Sequence, residues 1–125
     1  MPMSYAVEKT PKGRSFVRTV SSGAVTADDV KGFSSVIGPG QPLAGFPILA
    51  LVEPGADFSP ESRKVFGGMG GQAGAATIFT AVVVPSAPLR VMISFIVKVA
   101  GASDGTRFFA NEPEARSWLF DKVDA

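Results

Sequence analysis

The sequence predicts an α/β fold: a small mixed sheet, opened by an N-terminal hairpin and continued by alternating helices and strands, with the helices packed against it. Three observations predict it. Short runs rich in β-branched and aromatic residues recur along the chain and stop at Pro or Gly. Between them lie segments with apolar residues at helical spacing, opened by Ser, Thr or Asn. The chain has 125 residues, 46% apolar and only 18% charged, which argues for one ordered domain spanning residues 1–125. A chain of this length buries roughly two-thirds of its unfolded surface and needs no covalent staple.

The elements follow in order. Tyr5 to Glu8 and Arg14 to Val20 are β-type runs, and Thr10-Pro-Lys-Gly13 between them is a turn, so the pair reads as a hairpin. In the second run Phe16, Arg18 and Val20 alternate in a way that predicts a solvated face. Thr26 is an N-cap; Asp28 and Asp29 suit the positive end of the helix it opens, and Val30, Phe33, Val36 and Ile37 form that helix's apolar face. Gly38-Pro39-Gly40 ends it. The run from Phe46 to Val52 is almost wholly apolar and predicts a central strand buried on both faces. Ser59-Pro60-Glu61 opens a short helix, which the glycines from Gly67 to Gly71 cut off at a cost of about 1 kcal/mol each relative to Ala. Thr77 to Val84 is a second apolar strand, Ser86 caps a helix over about Pro88 to Val99, and Gly105 to Phe109 is a last short strand. Asn111 caps the closing helix with Glu114 at the capping-box position, and Ala115, Trp118, Leu119 and Val123 form its inner face.

Composition removes whole classes of chemistry. The chain contains no Cys and no His, which excludes thiolate nucleophiles, disulfides, zinc fingers, imidazole bases and His-based triads. No catalytic, cofactor-binding or metal-ligating residue is assigned. A net charge of +1 supplies no electrostatic reason for nucleic acid or an anionic membrane as partner. Residues 78–100 are apolar enough to raise the transmembrane question. Pro85, Pro88, Arg90, Ser94 and Lys98 interrupt them, so a strand, a turn and a helix are expected and no membrane insertion. Met1 to Tyr5 lacks the layout of a secretory signal, and a soluble cytoplasmic protein is the expectation.

Three constellations have plainer explanations. Gly68-Met-Gly70-Gly-Gln-Ala73 approximates a nucleotide-binding GxGxxA, but a helix precedes it and a strand follows, the reverse of what that motif requires. Asp28, Asp29, Asp57 and Glu61 share no motif spacing, and Asp28, Asp29 and Glu61 already suit helix N-termini. Ser59 is placed where a phosphate would sit well on a helix N-terminus, yet an N-cap hydroxyl is the favoured reading.

The helix after Ser86 is the unusual element. At 100° per residue Arg90, Ser94 and Lys98 form one narrow polar stripe, and the apolar arc covers roughly two-thirds of the circumference. A surface helix needs an arc of only a little over 100°. Leu89, Met92, Ile96 and Val99, in mid-arc, are expected on the sheet. Val91 and Phe95 flank the stripe on one side, and Ile93 and Val97 on the other. These flanks need cover from the C-terminal helix with its Trp118, a second subunit, a partner protein or an apolar ligand.

Ala75-Ala-Thr-Ile-Phe-Thr-Ala-Val-Val-Val-Pro-Ser86, followed by Leu89 and Arg90, resembles the STAS-like proteins of bacteria, in the SpoIIAA-like branch related to the anti-sigma-factor antagonists. The ending from Phe108 to Leu119 resembles that branch's closing pattern of a strand ending in Phe, an acidic N-cap turn, an Ala and a Trp-Leu pair. The resemblance implies a STAS-like sandwich and a non-enzymatic domain that binds partner proteins, nucleotides or apolar ligands. Anti-sigma antagonists carry a phosphorylatable Ser in an Asp-Ser-x-Gly segment. This chain has Asp57-Phe58-Ser59-Pro60 there, so the switch is not carried over. The sequence therefore predicts a regulatory, homodimeric domain without cofactor, acting through protein contacts on the helix around 88–99. A carrier or sensor of a small lipid-like ligand, held between that helix and the sheet, is the alternative, and an enzyme using only carboxylates and Lys ranks last.

Overall fold

The computed structural model describes residues 3–37, 46–62, 79–99 and 105–124; within them the side chains at 34, 36, 37 and 95–99 are not described. The glycine-rich segment around Gly68 lies outside the described residues.

Seven strands and three full helices follow one another among the described residues: β1 (Met3–Lys9), β2 (Ser15–Ser21), β3 (Ala24–Val25), α1 (Ala27–Ile37), β4 (Ile48–Val52), β5 (Asp57–Phe58), β6 (Thr80–Val83), α2 (Ala87–Val99), β7 (Thr106–Phe109) and α3 (Glu112–Val123). Five strands form one sheet in the order β1-β2-β4-β6-β7, with β1 antiparallel to β2 and every other pair parallel. This is the predicted mixed sheet opened by a hairpin. Sequence patterning missed β3 and β5, which pair parallel over two residues each beside the main sheet. Strands that short carry no periodicity to read.

The hairpin turn follows from its residues. Gly13 has φ of 82°, a conformation that costs a residue with a Cβ about 1–2 kcal/mol. It donates its N–H to the Thr10 carbonyl at 2.9 Å, and Thr10 N–H donates to the Arg14 carbonyl at 2.8 Å, closing a three-residue loop.

Alternation along the strands sorts side chains onto two faces. Val17, Val52, Val82 and Val84 point to one face and meet Val30 and Phe33 of α1 and Leu89, Met92 and Ile93 of α2. Phe16, Leu49, Ala81 and Val83 point to the other, where Ala115 and Leu119 of α3 close a second core. β4 lies between β2 and β6 with a core on each side, as its unbroken apolar run requires. The predicted solvated face of β2 is a correction. That face is covered by α3: Phe16 is fully buried, and Arg18 lies half-buried against Glu112. An alternation of apolar and charged residues cannot distinguish a wet face from one that buries an ion pair.

The caps stand as their residues dictate. Asp29 N–H donates to Thr26 Oγ1 at 3.4 Å while Asp29 Oδ2 accepts from Thr26 N–H at 2.9 Å, a reciprocal box at the start of α1. Asn111 Oδ1 accepts from Glu114 N–H at 3.0 Å and opens α3.

Candidate functional site

The α2 helix springs from the carboxyl end of β6. Val84 N–H donates to the Phe109 carbonyl at 2.9 Å, and after Pro85 the Ser86 carbonyl accepts from Arg90 N–H at 3.0 Å. Leu89, Met92 and Ile93 pack on the sheet, a spacing of three and four that seats one helical face. Ile93 was expected on a flank needing outside cover; it lies on the sheet core instead, so the seated face is rotated toward it. Val91 points the other way and is 72% exposed.

The polar stripe is not uniformly wet. Arg90 is half-buried. Its guanidinium turns back to the end of β6, where Nη2 donates to the Val84 carbonyl at 3.3 Å. Arg90 Nε is buried and finds no acceptor among the described residues. Ser94 is half-buried one turn on, and the side chains of Phe95, Val97 and Lys98 lie outside the described set.

Trp118 is a third correction. It stands on α3, across the sheet from α2, edge-on to Phe79 at 6.2 Å and tilted against Phe109 at 5.8 Å. The sheet separates it from Val91, so the C-terminal helix does not cover that residue. Helical spacing on α3 showed which residues point inward, but not which side of the sheet receives them.

Ser59 caps the helical turn that follows it. Its Oγ accepts from Ser62 N–H at 3.0 Å, and Ser62 Oγ donates to the Ser59 carbonyl at 2.7 Å. Among the described residues no three of Asp and Glu gather as metal ligands. None of the described helices is long and apolar enough to cross a membrane. At 13 residues α2 spans about 20 Å, against the ~30 Å of a bilayer core.

One cluster escaped the sequence. Arg18 on β2 makes two hydrogen bonds to the Glu112 carboxylate, from Nε at 3.1 Å and Nη2 at 3.2 Å. Arg116 donates from Nε to Glu112 at 2.8 Å and from Nη2 to Glu8 of β1 at 3.1 Å. Its guanidinium also lies 5.8 Å from the centre of the Phe16 ring. The Arg18 hydrogen bonds hold the Glu112 carboxyl below its ordinary value, burial opposes this, and Arg116 adds to it. For Arg116 burial works against the charge, but Glu112 and Glu8 outweigh it and push the guanidinium upward. Each charge is matched by its opposite, and the group ties β1, β2 and α3 together. The signal that could have found half of it is Glu112 to Arg116, four apart on one helix. The other half depends on sheet register.

The same architecture occurs in a solved structure. The chain superposes on the crystal structure of an uncharacterized protein of the DUF3478 family with a SpoIIAA-like fold, from Shewanella loihica PV-4. The TM-score is 0.68 over 94% of this chain and 93% of that one. This chain has a SpoIIAA-like fold. Identity is 14%, so the likeness carries the SpoIIAA-like architecture and nothing finer. No family model matches the chain, and no curated protein matches it. The resemblance read from the C-terminal half thus agrees with the fold.

Proposed function

We propose that this SpoIIAA-like domain is a non-enzymatic binding module that regulates, or is regulated by, another protein docked on the outward face of α2. The observation that carries this reading is Val91, a large apolar side chain 72% exposed on a helix whose inner face is already seated on the sheet. The composition supports it: without Cys or His, and with its clustered charges paired, the chain offers its surface rather than its functional groups. A carrier of a small apolar ligand would place that ligand between α2 and the sheet, where Leu89, Met92 and Ile93 already pack on the core that includes Val82 and Val84.

A photo-crosslinking side chain at position 91, expressed in the native host, tests the reading. A discrete protein adduct at 91 that is absent with the same group at exposed Arg14 is expected. Equal labelling at both positions, or none at 91, refutes it.

A further inference from the structure

Among the described residues the sheet ends in two strands, β1 and β7. Sheet edges expose unpaired N–H and C=O groups, and proteins guard them with short strands, charges, prolines or bulges. β7 is guarded: it is four residues long and carries Arg107. β1 is seven residues long, contains no Pro or Gly, and pairs with β2 at every residue without a bulge. Its charges stand only at Glu8 and Lys9, and Ser4 to Val7 are all exposed. Tyr5 at 45% and Val7 at 46% lie on one face of the strand, the face toward α1, where Tyr5 meets Phe33 at 5.6 Å between ring centres.

The direction of the free backbone groups follows from the turn. Thr10 N–H bonds the Arg14 carbonyl, so that position is a hydrogen-bonded pair. Alternation along the same register turns the backbone groups of Ser4, Ala6 and Glu8 toward β2, and those of Met3, Tyr5, Val7 and Lys9 outward. A second strand can therefore add only where its own outward groups meet odd-numbered residues of β1.

We propose that β1 pairs antiparallel with β1 of a second copy, about a two-fold axis through Ala6, joining two five-stranded sheets into one. Of the registers that match outward groups to outward groups, this one engages all seven residues of the strand. It sets Tyr5 opposite the partner's Val7 and Val7 opposite the partner's Tyr5, an aromatic on a β-branched side chain each time. Glu8 falls opposite the partner's Ser4, and Lys9 opposite the partner's Met3, so no like charges face each other. The same patch serves both copies, as a two-fold interface requires. The proposal is independent of the α2 reading, because α2 does not contribute to this edge.

The register makes a positional prediction. Ala6 would meet its own copy at a non-hydrogen-bonded position, with Cα atoms about 4.5 Å apart. That lies within the roughly 4.4–6.8 Å span of disulfides. Tyr5 would face Val7 and lie too far from its own copy to be bridged. The chain has no native Cys, so a single introduced thiol reports alone. Under mild oxidation Ala6→Cys is expected to give a covalent dimer for most chains, and Tyr5→Cys to remain monomeric on a non-reducing gel. Absence of the Ala6→Cys dimer, or equal cross-linking of both variants, overturns the register. Sedimentation of the wild type is expected to give twice the 13.0 kDa chain mass, and the Val7→Pro variant a single chain mass. Proline at 7 removes only an outward N–H, and circular dichroism checks that the fold survives. A wild type that sediments as one chain at hundreds of micromolar overturns the pairing whatever the variants do.

Discussion

Glu112→Gln is the most informative single perturbation of the fold. The substitution keeps the side chain's size and removes its charge. In the native domain Glu112 accepts two hydrogen bonds from Arg18 and one from Arg116, at 2.8–3.2 Å, with 27% of its side chain exposed. Without it both guanidinium groups depend on Glu8, which is 3.1 Å from Arg116 but 3.9 Å from Arg18. Hydrogen bonds to charged groups contribute about 1.5–3 kcal/mol when buried, and exposed pairs about 0.2–1 kcal/mol. Partial exposure puts the expected loss between these, at about 1–2 kcal/mol, or about 4–8 °C in Tm for a domain of this size. Its pH dependence has a definite sign. Arg18 holds the folded-state pKa of Glu112 below the ordinary carboxylate value of 4.5. Its stabilisation is therefore complete above that value and is lost as pH falls through the lowered folded-state value. Thermal unfolding of wild type and Glu112→Gln between pH 7 and pH 3 measures this directly. The Tm gap should stay constant from pH 7 to about pH 5.5 and shrink below 4.5. A double-mutant cycle with Arg18→Gln should give a coupling of at least about 0.5 kcal/mol. A gap under 1 °C at pH 7, or one that widens on acidification, would refute the network's role.

Three further substitutions test other parts of the fold by thermal or denaturant unfolding. Leu119→Ala removes a fully buried side chain from the core beneath α3 and should cost about 2–5 kcal/mol. Gly13→Ala places its methyl group in open space but keeps a φ of 82°, so it should cost about 1–2 kcal/mol through backbone strain alone. Asn111→Ala removes the N-cap bond to Glu114 and should cost about 1 kcal/mol, while Asn111→Asp should restore most of it.

The sheet was legible because its strands are short β-branched runs separated by strong stops. Pro11 and Gly13 mark the hairpin turn, and Asn111 and Thr26 mark helix starts that the structure keeps. The candidate site was less legible. The apolar arc of α2 is visible in sequence, and Val91 is exposed as its flank position suggested. Ile93 turned inward because the helix seats on Leu89, Met92 and Ile93, a rotation that a nearly uniform apolar arc leaves undetermined. Trp118 carries the same lesson, since an amphipathic helix has an inner side but no label for which face of a sheet it meets.

What the sequence by itself determined is local: where strands and helices begin and stop, which residues cap them, and which chemistries the absence of Cys and His excludes. Those properties depend on neighbours a few residues away, through backbone preference, capping and turn geometry. Only the tertiary structure decided the pairing order β1-β2-β4-β6-β7, the side of the sheet each helix covers, and the meeting of Glu8 and Arg18 with Glu112 and Arg116. Those contacts join residues up to 108 positions apart and exist only once the register of the sheet is set.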